Sequence, residues 1–151
     1  PETIHEYALD QPLPVDGRIV FSRGLAKQNI WPAIDPVQSN SRMLEGPALG
    51  AEQARVARRA QVLLRGYGDL EGTGAAGDDA QLQARARRVL LFCSQPFVVA
   101  ETFTARPGVY LPIAETVRGY GELVDGFHDD LPEEAFRFTG GIEEVLGTAA
   151  G

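Results

Sequence analysis

Three aromatic side chains in the sequence are candidates for holding a flat, uncharged group. Trp31 lies in a Trp-Pro turn, and Phe97 and Phe103 follow Pro96, just beyond the end of a helical pattern. A ring stacked on a nucleobase contributes on the order of 1–3 kcal/mol without any charge. Their spacing alone favours the hydrophobic core over a binding site, so the residues leave both interpretations open.

Other motifs that could do chemistry are incomplete. Residues 72–77 match the pattern G-x-G-x-x-G, but a predicted helix precedes them where a dinucleotide site needs a strand, so a flexible linker is favoured. The sequence contains neither a G-x-x-x-x-G-K-[ST] phosphate loop nor a G-x-S-x-G motif. His5 and His128 lack metal-ligand spacing, and Cys93 is expected to be a buried small hydrophobe. We therefore predict no catalytic and no metal-binding residues in this chain.

A run of arginines lies on two predicted helices. A net charge of −7 argues against nucleic acid as a partner, because phosphates require a basic face. No aromatic residues interleave with the arginines, so a solvated or partner-facing helix surface is favoured. The residues concerned are Arg55, Arg58, Arg59, Arg65, Arg85, Arg87 and Arg88.

Length and composition predict one domain with a real core. The chain has 151 residues, of which 44% are hydrophobic. Its single cysteine rules out an internal disulfide framework and favours a reducing compartment. No apolar run approaches the roughly 20 residues of a membrane span, and the N-terminus lacks a signal-peptide pattern. Because the sequence starts at Pro1 and has no complete catalytic motif, we expect a piece of a longer protein.

The sequence of the first third of the chain indicates little regular structure. Residues 17–21 are predicted to form a short buried strand, paired with the preceding lead-in or with a part of the protein absent from this chain. Ser22 is expected to cap a short helix that ends near Gln28, with Asn29 as a left-handed stop. Three prolines between residues 30 and 47 exclude long regular elements.

The remainder of the chain predicts helices. Apolar residues recur at helical spacing over 50–67 and 79–93, and a third helix runs from Pro112 to a stop at Gly126. Two more helices are expected to begin near Pro132 and Gly141. The predicted apolar faces are Val56, Ala60, Leu63 and Tyr67 on the first helix, and Leu82, Ala86, Val89 and Cys93 on the second. The fold class is therefore predicted to be mainly α.

Several segments together resemble the catalytic β subunit of the F-type ATP synthases. They are IWPAIDPVQSNSR (30–42), EQARVARRAQVLLRGY (52–67), RARRV (85–89), SQPFVVAETFT (94–104), ETVRGYGELVDGFHDDLPEEAF (115–136) and GGIEE (140–144). The related noncatalytic α subunit and the export ATPases lack SQPF followed by a second phenylalanine. The resemblance extends from residue 17 to about residue 144.

This resemblance implies that residues 1–49 are the tail of a nucleotide-binding α/β domain, and residues 50–151 a C-terminal helical bundle domain. It implies ATP or ADP with Mg²⁺ as ligands of the full-length protein, with the phosphate and Mg²⁺ ligands upstream of Pro1. Trp31, Phe97 and Phe103 occupy the positions that contact adenine in the family. The chain would thus be part of an ion-transporting ATP synthase, and this fragment alone would be inactive.

The resemblance also implies partners and a location. The β subunits alternate with α subunits in a hexameric ring around a central γ stalk, at the cytoplasmic face of the bacterial inner membrane. The helical domain acts there as a lever that couples ATP synthesis or hydrolysis to rotation. Two alternatives remain: a non-catalytic helical module that docks a partner through its arginine face, and an export-type rotary ATPase paralogue.

The chain departs from the family pattern in three places. Trp31 replaces the usual tyrosine, and Gln38 stands where aspartate is common. The lever hairpin, residues 67–79, is shorter and glycine-rich, and of the acidic motif that touches the stalk it keeps only Asp78 and Asp79. These departures suggest either a divergent or second-copy β subunit of an alternative synthase, or a paralogue with weakened coupling. The coupling ion, proton or sodium, stays open.

Overall fold

The computed structural model describes residues 15–44, 49–70 and 76–149, without the side chains of Asp69, Leu70 and Phe103. Within these ranges the chain is mainly helical, and no helix is long and apolar enough to cross a membrane. The helices are α1 (Arg23–Lys27), α2 (Ala51–Leu70), α3 (Asp78–Phe92), α4 (Glu101–Thr104), α5 (Ile113–Asp125) and α6 (Ile142–Ala149). Two strands are present, β1 (Gly17–Arg18) and β2 (Asn40–Ser41). The lead-in over 1–14 and hairpin residues 71–75 lie outside the described ranges.

The predicted N-terminal strand differs from the observed one in burial and in partner. β1 pairs antiparallel with β2, so the partner found among the described residues lies downstream in this chain. Pairing with the lead-in falls on residues outside the described ranges. Ile19 is 66% exposed and Phe21 is 77% exposed, so this segment is not buried. The chain can return to β1 because the Asp35 carboxylate accepts hydrogen bonds from the backbone N–H groups of two following residues and closes a turn.

The short helix α1 forms where its capping residue predicts it. The Ser22 hydroxyl accepts a hydrogen bond from the Leu25 N–H at 3.3 Å. Asn29 has a φ of 57°, a left-handed conformation that asparagine tolerates, and it ends the helix. The next residue, Ile30, is 1% exposed and anchors this segment in the core.

Three helices, α2, α3 and α5, pack on one another and form the core. Val56 of α2 is buried, as predicted, and the other residues of the predicted face, Ala60, Leu63 and Tyr67, pack half-buried against the core. Leu64, which lies outside the predicted face, is buried as well. The last turn of α3 is buried on every side because α2, α5 and the turn over 133–136 all pack against it. Leu82 is an exception: it was predicted to lie on the buried face of α3, but it is 44% exposed.

The ends of the later elements follow local backbone chemistry. Pro112 caps α5, and Gly126, with a φ of 85°, ends it as predicted. Near Pro132 the predicted helix is only a single 3₁₀ turn over Glu133–Phe136. It stops there because the next residue is extended and Phe138 has a φ of 53°, which a helix cannot contain. The last helix, α6, begins at Ile142, as predicted.

Six of the seven arginines in the run bind groups of this chain. Arg55 pairs with Glu52 at 2.7 Å, and Arg58 Nη1 donates to the Leu44 carbonyl at 3.5 Å. Arg59 pairs with Asp125, and Arg85 pairs with Asp129. Arg87 pairs with Glu133 at 2.9 Å, and the Arg88 Nε donates to the Leu131 carbonyl at 2.9 Å. The interpretation of the run as a solvated surface is therefore wrong for Arg85, whose side chain is only 20% exposed because Asp129 covers it. It holds for Arg59, whose side chain is 47% exposed. Whether the run faces a partner stays a prediction.

Candidate aromatic binding pocket

One surface cavity in the described part of the chain contains two of the predicted site residues. Its volume is about 740 Å³, within the roughly 300–1,000 Å³ typical of small-molecule sites. Trp31 and Phe97 both line it, although they lie far apart in the sequence. Its other lining residues are Asn29, Gln95, Pro96, Val99, Ala100, Thr104, Arg106 and Phe138.

The position of Trp31 follows from the turn that contains it. The buried side chain of Ile30 fixes one side of the turn, and the Ile30 N–H donates to the Leu25 carbonyl at 3.0 Å. The Trp31–Pro32 peptide bond is cis. Trp31 itself is 42% exposed. It is therefore a pocket-lining ring and not the core residue that spacing alone favours.

The segment after α3 is attached directly to the Trp31 turn. The Gln95 N–H donates to the Trp31 carbonyl at 2.8 Å, and its side-chain amide donates to the Phe92 carbonyl at 2.7 Å. Pro96 cannot continue the helix, so the chain becomes extended and the partly buried Phe97 follows. One residue thus ties together the turn, the end of α3 and the segment that carries Phe97.

Ser94 holds the opposite side of the pocket. It is fully buried, and its hydroxyl donates to the Leu91 carbonyl at 2.6 Å. The Phe138 N–H donates to both the carbonyl and the hydroxyl of Ser94, at 3.1 Å each. These bonds hold Phe138 in its left-handed conformation, with its ring at the pocket. Ser94 therefore positions Phe138. The sequence analysis singled out the SQPF motif that contains Ser94, but it did not reveal this role.

Sequence reasoning missed two pocket residues, Phe138 and Arg106. The Arg106 guanidinium carbon lies 5.5 Å from the centroid of the Phe138 ring, a cation–π distance. Arg106 Nη1 also approaches the Phe138 carbonyl at 3.5 Å. The two residues are distant in sequence, and no local pattern indicates that they meet. The one local signal in the sequence for an aromatic residue here is the pair Phe136 and Phe138, at the end of the 3₁₀ turn.

The third predicted ring, Phe103, lies on α4, which follows the Phe97 segment directly. Its side chain is outside the described part of the structure, so its relation to the pocket stays a prediction. The segments before and after α4 approach each other closely. A Cβ on Gly108 would lie 2.5 Å from the Val98 nitrogen, so only glycine fits where the chain returns past the pocket segment.

The chemistry available in the pocket is binding rather than group transfer. Among the described lining residues no carboxylate, histidine or cysteine occurs, and Arg106 is the cationic one. In the ranges 15–44, 49–70 and 76–149, no group of three or more acidic, histidine or cysteine residues could hold a metal ion. The position of the phosphate and Mg²⁺ ligands upstream of Pro1 stays a prediction.

Asp78 and Asp79, the predicted stalk contacts, lie far along α3 from the pocket. Both are exposed and occupy the first turn of the helix, after Gly77 with a φ of 62°. Carboxylates in a first turn stabilise the positive end of the helix dipole. Their position is compatible with a partner contact and is equally explained by this local effect.

Cys93 is the one cysteine of the chain and lies near the pocket without lining it. The Tyr120 hydroxyl donates to its Sγ at 3.4 Å, and burial raises the pKa of the Cys93 thiol. Burial also raises the pKa of the Tyr120 hydroxyl. A thiol that stays protonated is a poor nucleophile, so Cys93 acts as a packing residue, as the sequence predicts.

No protein-family model matches the chain.

Proposed function

We propose that this chain is the C-terminal part of an F-type ATP synthase β subunit and that its aromatic pocket binds the adenine of ATP or ADP. The observation that carries the proposal is the meeting of Trp31 and Phe97 at one cavity, joined by the bond from Gln95 to Trp31. The family resemblance assigns adenine contact to these positions and gives no other reason for them to meet.

In this proposal the chain contributes base binding and motion, while the phosphates and Mg²⁺ are held by upstream residues. The helices from α2 onward are the lever that couples nucleotide binding to rotation of a central γ stalk, with Asp78 and Asp79 as stalk contacts. The β subunit alternates with α subunits in a ring at the cytoplasmic face of the bacterial membrane. The shortened hairpin favours a divergent form with weaker coupling.

The alternative of a helical interaction module has less support. That hypothesis needs a free arginine face and aromatic rings in the core. Arg85, Arg87 and Arg88 bind groups of this chain, and Trp31 is 42% exposed. No observation on the described residues favours an export-type paralogue over the β subunit.

Titration of the chain with ADP tests the proposal, with fluorescence of its single tryptophan, Trp31, as the readout. We expect saturable quenching at millimolar ADP, because stacking acts here without phosphate contacts. Phe97→Ala removes one ring and should weaken binding by about tenfold, within the range of stacking contributions.

Phe127→Ala is the matched control, because Phe127 is 71% exposed and does not line the pocket. It should leave the titration unchanged. An unchanged Trp31 signal at all ADP concentrations, or equal effects of the two alanine variants, would overturn the adenine assignment.

A further inference from the structure

Arg137 lies beside the pocket and connects two of its sides. Its Nη1 donates to the backbone carbonyls of Gln28 and Asn29, which are 109 and 108 residues away, at 3.2 Å and 3.0 Å. Asn29 lines the cavity, and so does Phe138, the residue that follows Arg137. The Arg137 side chain therefore joins the side of the pocket that carries Trp31 to the side that carries Phe138.

The Arg137 guanidinium is held in place because its own backbone is fixed. The Arg137 N–H donates to the Glu134 carbonyl at 3.3 Å, and the next N–H along the chain donates to Ser94. The Arg137 Nε donates to the Glu134 carboxylate at 3.1 Å, which orients the planar group. The side chain is only 20% exposed. Hydrogen bonds from such a charged donor are stronger than neutral ones and fix direction as well as distance.

The carbonyls that Arg137 binds lead directly into the Trp31 turn. Asn29 is followed by the buried Ile30 and then by Trp31, whose carbonyl accepts the Gln95 N–H at 2.8 Å. Hydrogen bonds therefore attach the turn on both sides of Ile30, through Arg137 before it and through Gln95 after it. The Gln95 attachment is made by the backbone, whereas the Arg137 attachment depends on one side chain.

We propose that Arg137 is a positioning residue that holds the Trp31 turn at its binding distance from Phe138 and so sets ligand affinity without lining the cavity. This inference rests on the proposed function, because ADP is the ligand whose binding Arg137 supports. Without Arg137 the turn stays attached through Gln95 alone, and the two sides of the pocket are less well held together. A ligand then has to order the turn as it binds, so affinity falls although every aromatic ring is still present.

Two NMR measurements on the chain test this inference. The Trp31 indole N–H peak follows a titration with ADP, and a single tryptophan gives a single indole peak. Hydrogen exchange of the Gln95 N–H reports how often the Trp31 turn separates from the segment after α3, because the Trp31 carbonyl is the acceptor of that N–H. In Arg137→Ala we expect the ADP affinity to fall about fivefold and the Gln95 exchange rate to rise about fivefold.

Arg118→Ala is the matched control. Arg118 also joins two elements, since it lies on α5 and its Nη2 donates to Glu143 of α6 at 2.7 Å, but it does not line the pocket. This variant should keep the wild-type ADP affinity and Gln95 exchange rate. Arg137→Lys keeps a cationic donor and loses the planar group, so both of its values should lie between those of the wild type and Arg137→Ala.

The outcomes separate this inference from the proposed function. Weaker ADP binding and faster Gln95 exchange in Arg137→Ala, with neither change in Arg118→Ala, support it. If the wild type binds ADP and Arg137→Ala binds it equally well, or if Arg118→Ala weakens binding as much, positioning by Arg137 is wrong while the adenine pocket stands. Unchanged Gln95 exchange in Arg137→Ala also overturns it, because Gln95 alone then holds the turn.

Two further results are decisive. If Arg137→Ala does not fold, the lysine variant decides, because a wild-type ADP affinity in Arg137→Lys would overturn the inference. If ADP does not shift the Trp31 peak of the wild type at any concentration, the proposed function fails and the role of Arg137 in ligand affinity fails with it.

Discussion

The two ends of α3 differ in how tightly the rest of the molecule holds them. At the C-terminal end Val89–Phe92 are all buried, and the following residues carry the pocket. At the N-terminal end Asp78 and Asp79 are exposed, and Leu82 is 44% exposed. The difference teaches that a pocket and an exposed helix end have separate structural requirements. A pocket needs a well-packed core behind it, whereas an exposed helix end needs only a helix that holds its side chains in solvent.

At the C-terminal end of α3, hydrogen bonds hold the pocket segments together in addition to the burial of their side chains. Gln95 joins the Trp31 turn to the end of α3, and Ser94 joins α3 to the turn at Phe138. Three segments from different parts of the sequence are held within one hydrogen-bonded unit. Substitutions at this end should therefore affect folding and binding together, whereas those at the hairpin end should leave the pocket intact.

The largest expected effect comes from Phe92→Ala at the pocket end. Phe92 is 2% exposed and contacts the Tyr120 ring edge-on with centroids 5.0 Å apart. The cavity left behind should lower the free energy of unfolding by about 3–5 kcal/mol. Urea denaturation measures this loss. Leu82→Ala is the hairpin-end control and should cost less than about 1 kcal/mol; similar losses for both variants would erase the contrast between the two ends.

An intermediate effect is expected for Gly126→Ala. Gly126 has a φ of 85°, and a Cβ there would overlap the Arg85 guanidinium, which cannot easily move because Asp129 binds it. Backbone strain at position 126 and displacement of the Arg85 guanidinium together should lower the free energy of unfolding by about 1–3 kcal/mol, as measured by thermal unfolding. Gly68→Ala near the hairpin is the matched control, because Gly68 lies within α2 with open space around it. That variant should stabilise by up to about 1 kcal/mol, and a loss there would contradict the comparison.

The smallest effect is expected for Asp129→Asn, and it depends on pH. The hydrogen bond from Arg85 lowers the pKa of the Asp129 carboxyl below its ordinary value. The stabilisation is therefore present above the unfolded pKa of about 3.9 and is lost as the pH falls through the folded pKa. Near neutral pH the free energy of unfolding of the Asp129→Asn variant, measured by urea denaturation, should be about 1 kcal/mol lower than that of the wild type.

At pH values low enough to protonate Asp129, the wild type and the Asp129→Asn variant should converge in stability. Asp78→Asn at the exposed end serves as the control. It should change the free energy of unfolding by only about 0.3–1 kcal/mol through the helix dipole. A gap between wild type and Asp129→Asn that stays constant as the pH falls would mean that the ion pair is not its cause.

The core helices could be predicted from the sequence because their signals are local. Val56, Ala60 and Leu63 lie on an apolar face of helical period and pack in or against the core. Gly126 ends α5 through its own backbone freedom. Of the candidate site, Trp31 and Phe97 could be named from their motifs, although spacing alone favoured the core. For Phe103 the assignment to the site remains a prediction.

Other features could not be predicted, since they depend on which segments meet. The residues that follow the short β1 strand lie exposed because, among the described residues, β1 pairs only with β2 in a two-stranded sheet. Leu82 is exposed because it lines an open surface cleft between α3 and α2 with Val62 and Leu63. Arg106 joined the site only because the backbone at Phe138 turns left-handed and brings its ring under the guanidinium.

The sequence by itself determined the helices α1, α2, α3, α5 and α6, the cap at Ser22, the stop at Gly126 and the motif that carries Phe97. The reason is that periodicity, capping and proline act over a few residues. Only the tertiary structure decided that Trp31 is a pocket ring, that the arginines of α3 bind groups of this chain, and that Arg106 stands at the pocket edge. The physical reason is that burial and pairing depend on contacts between distant segments, and no local pattern records those contacts.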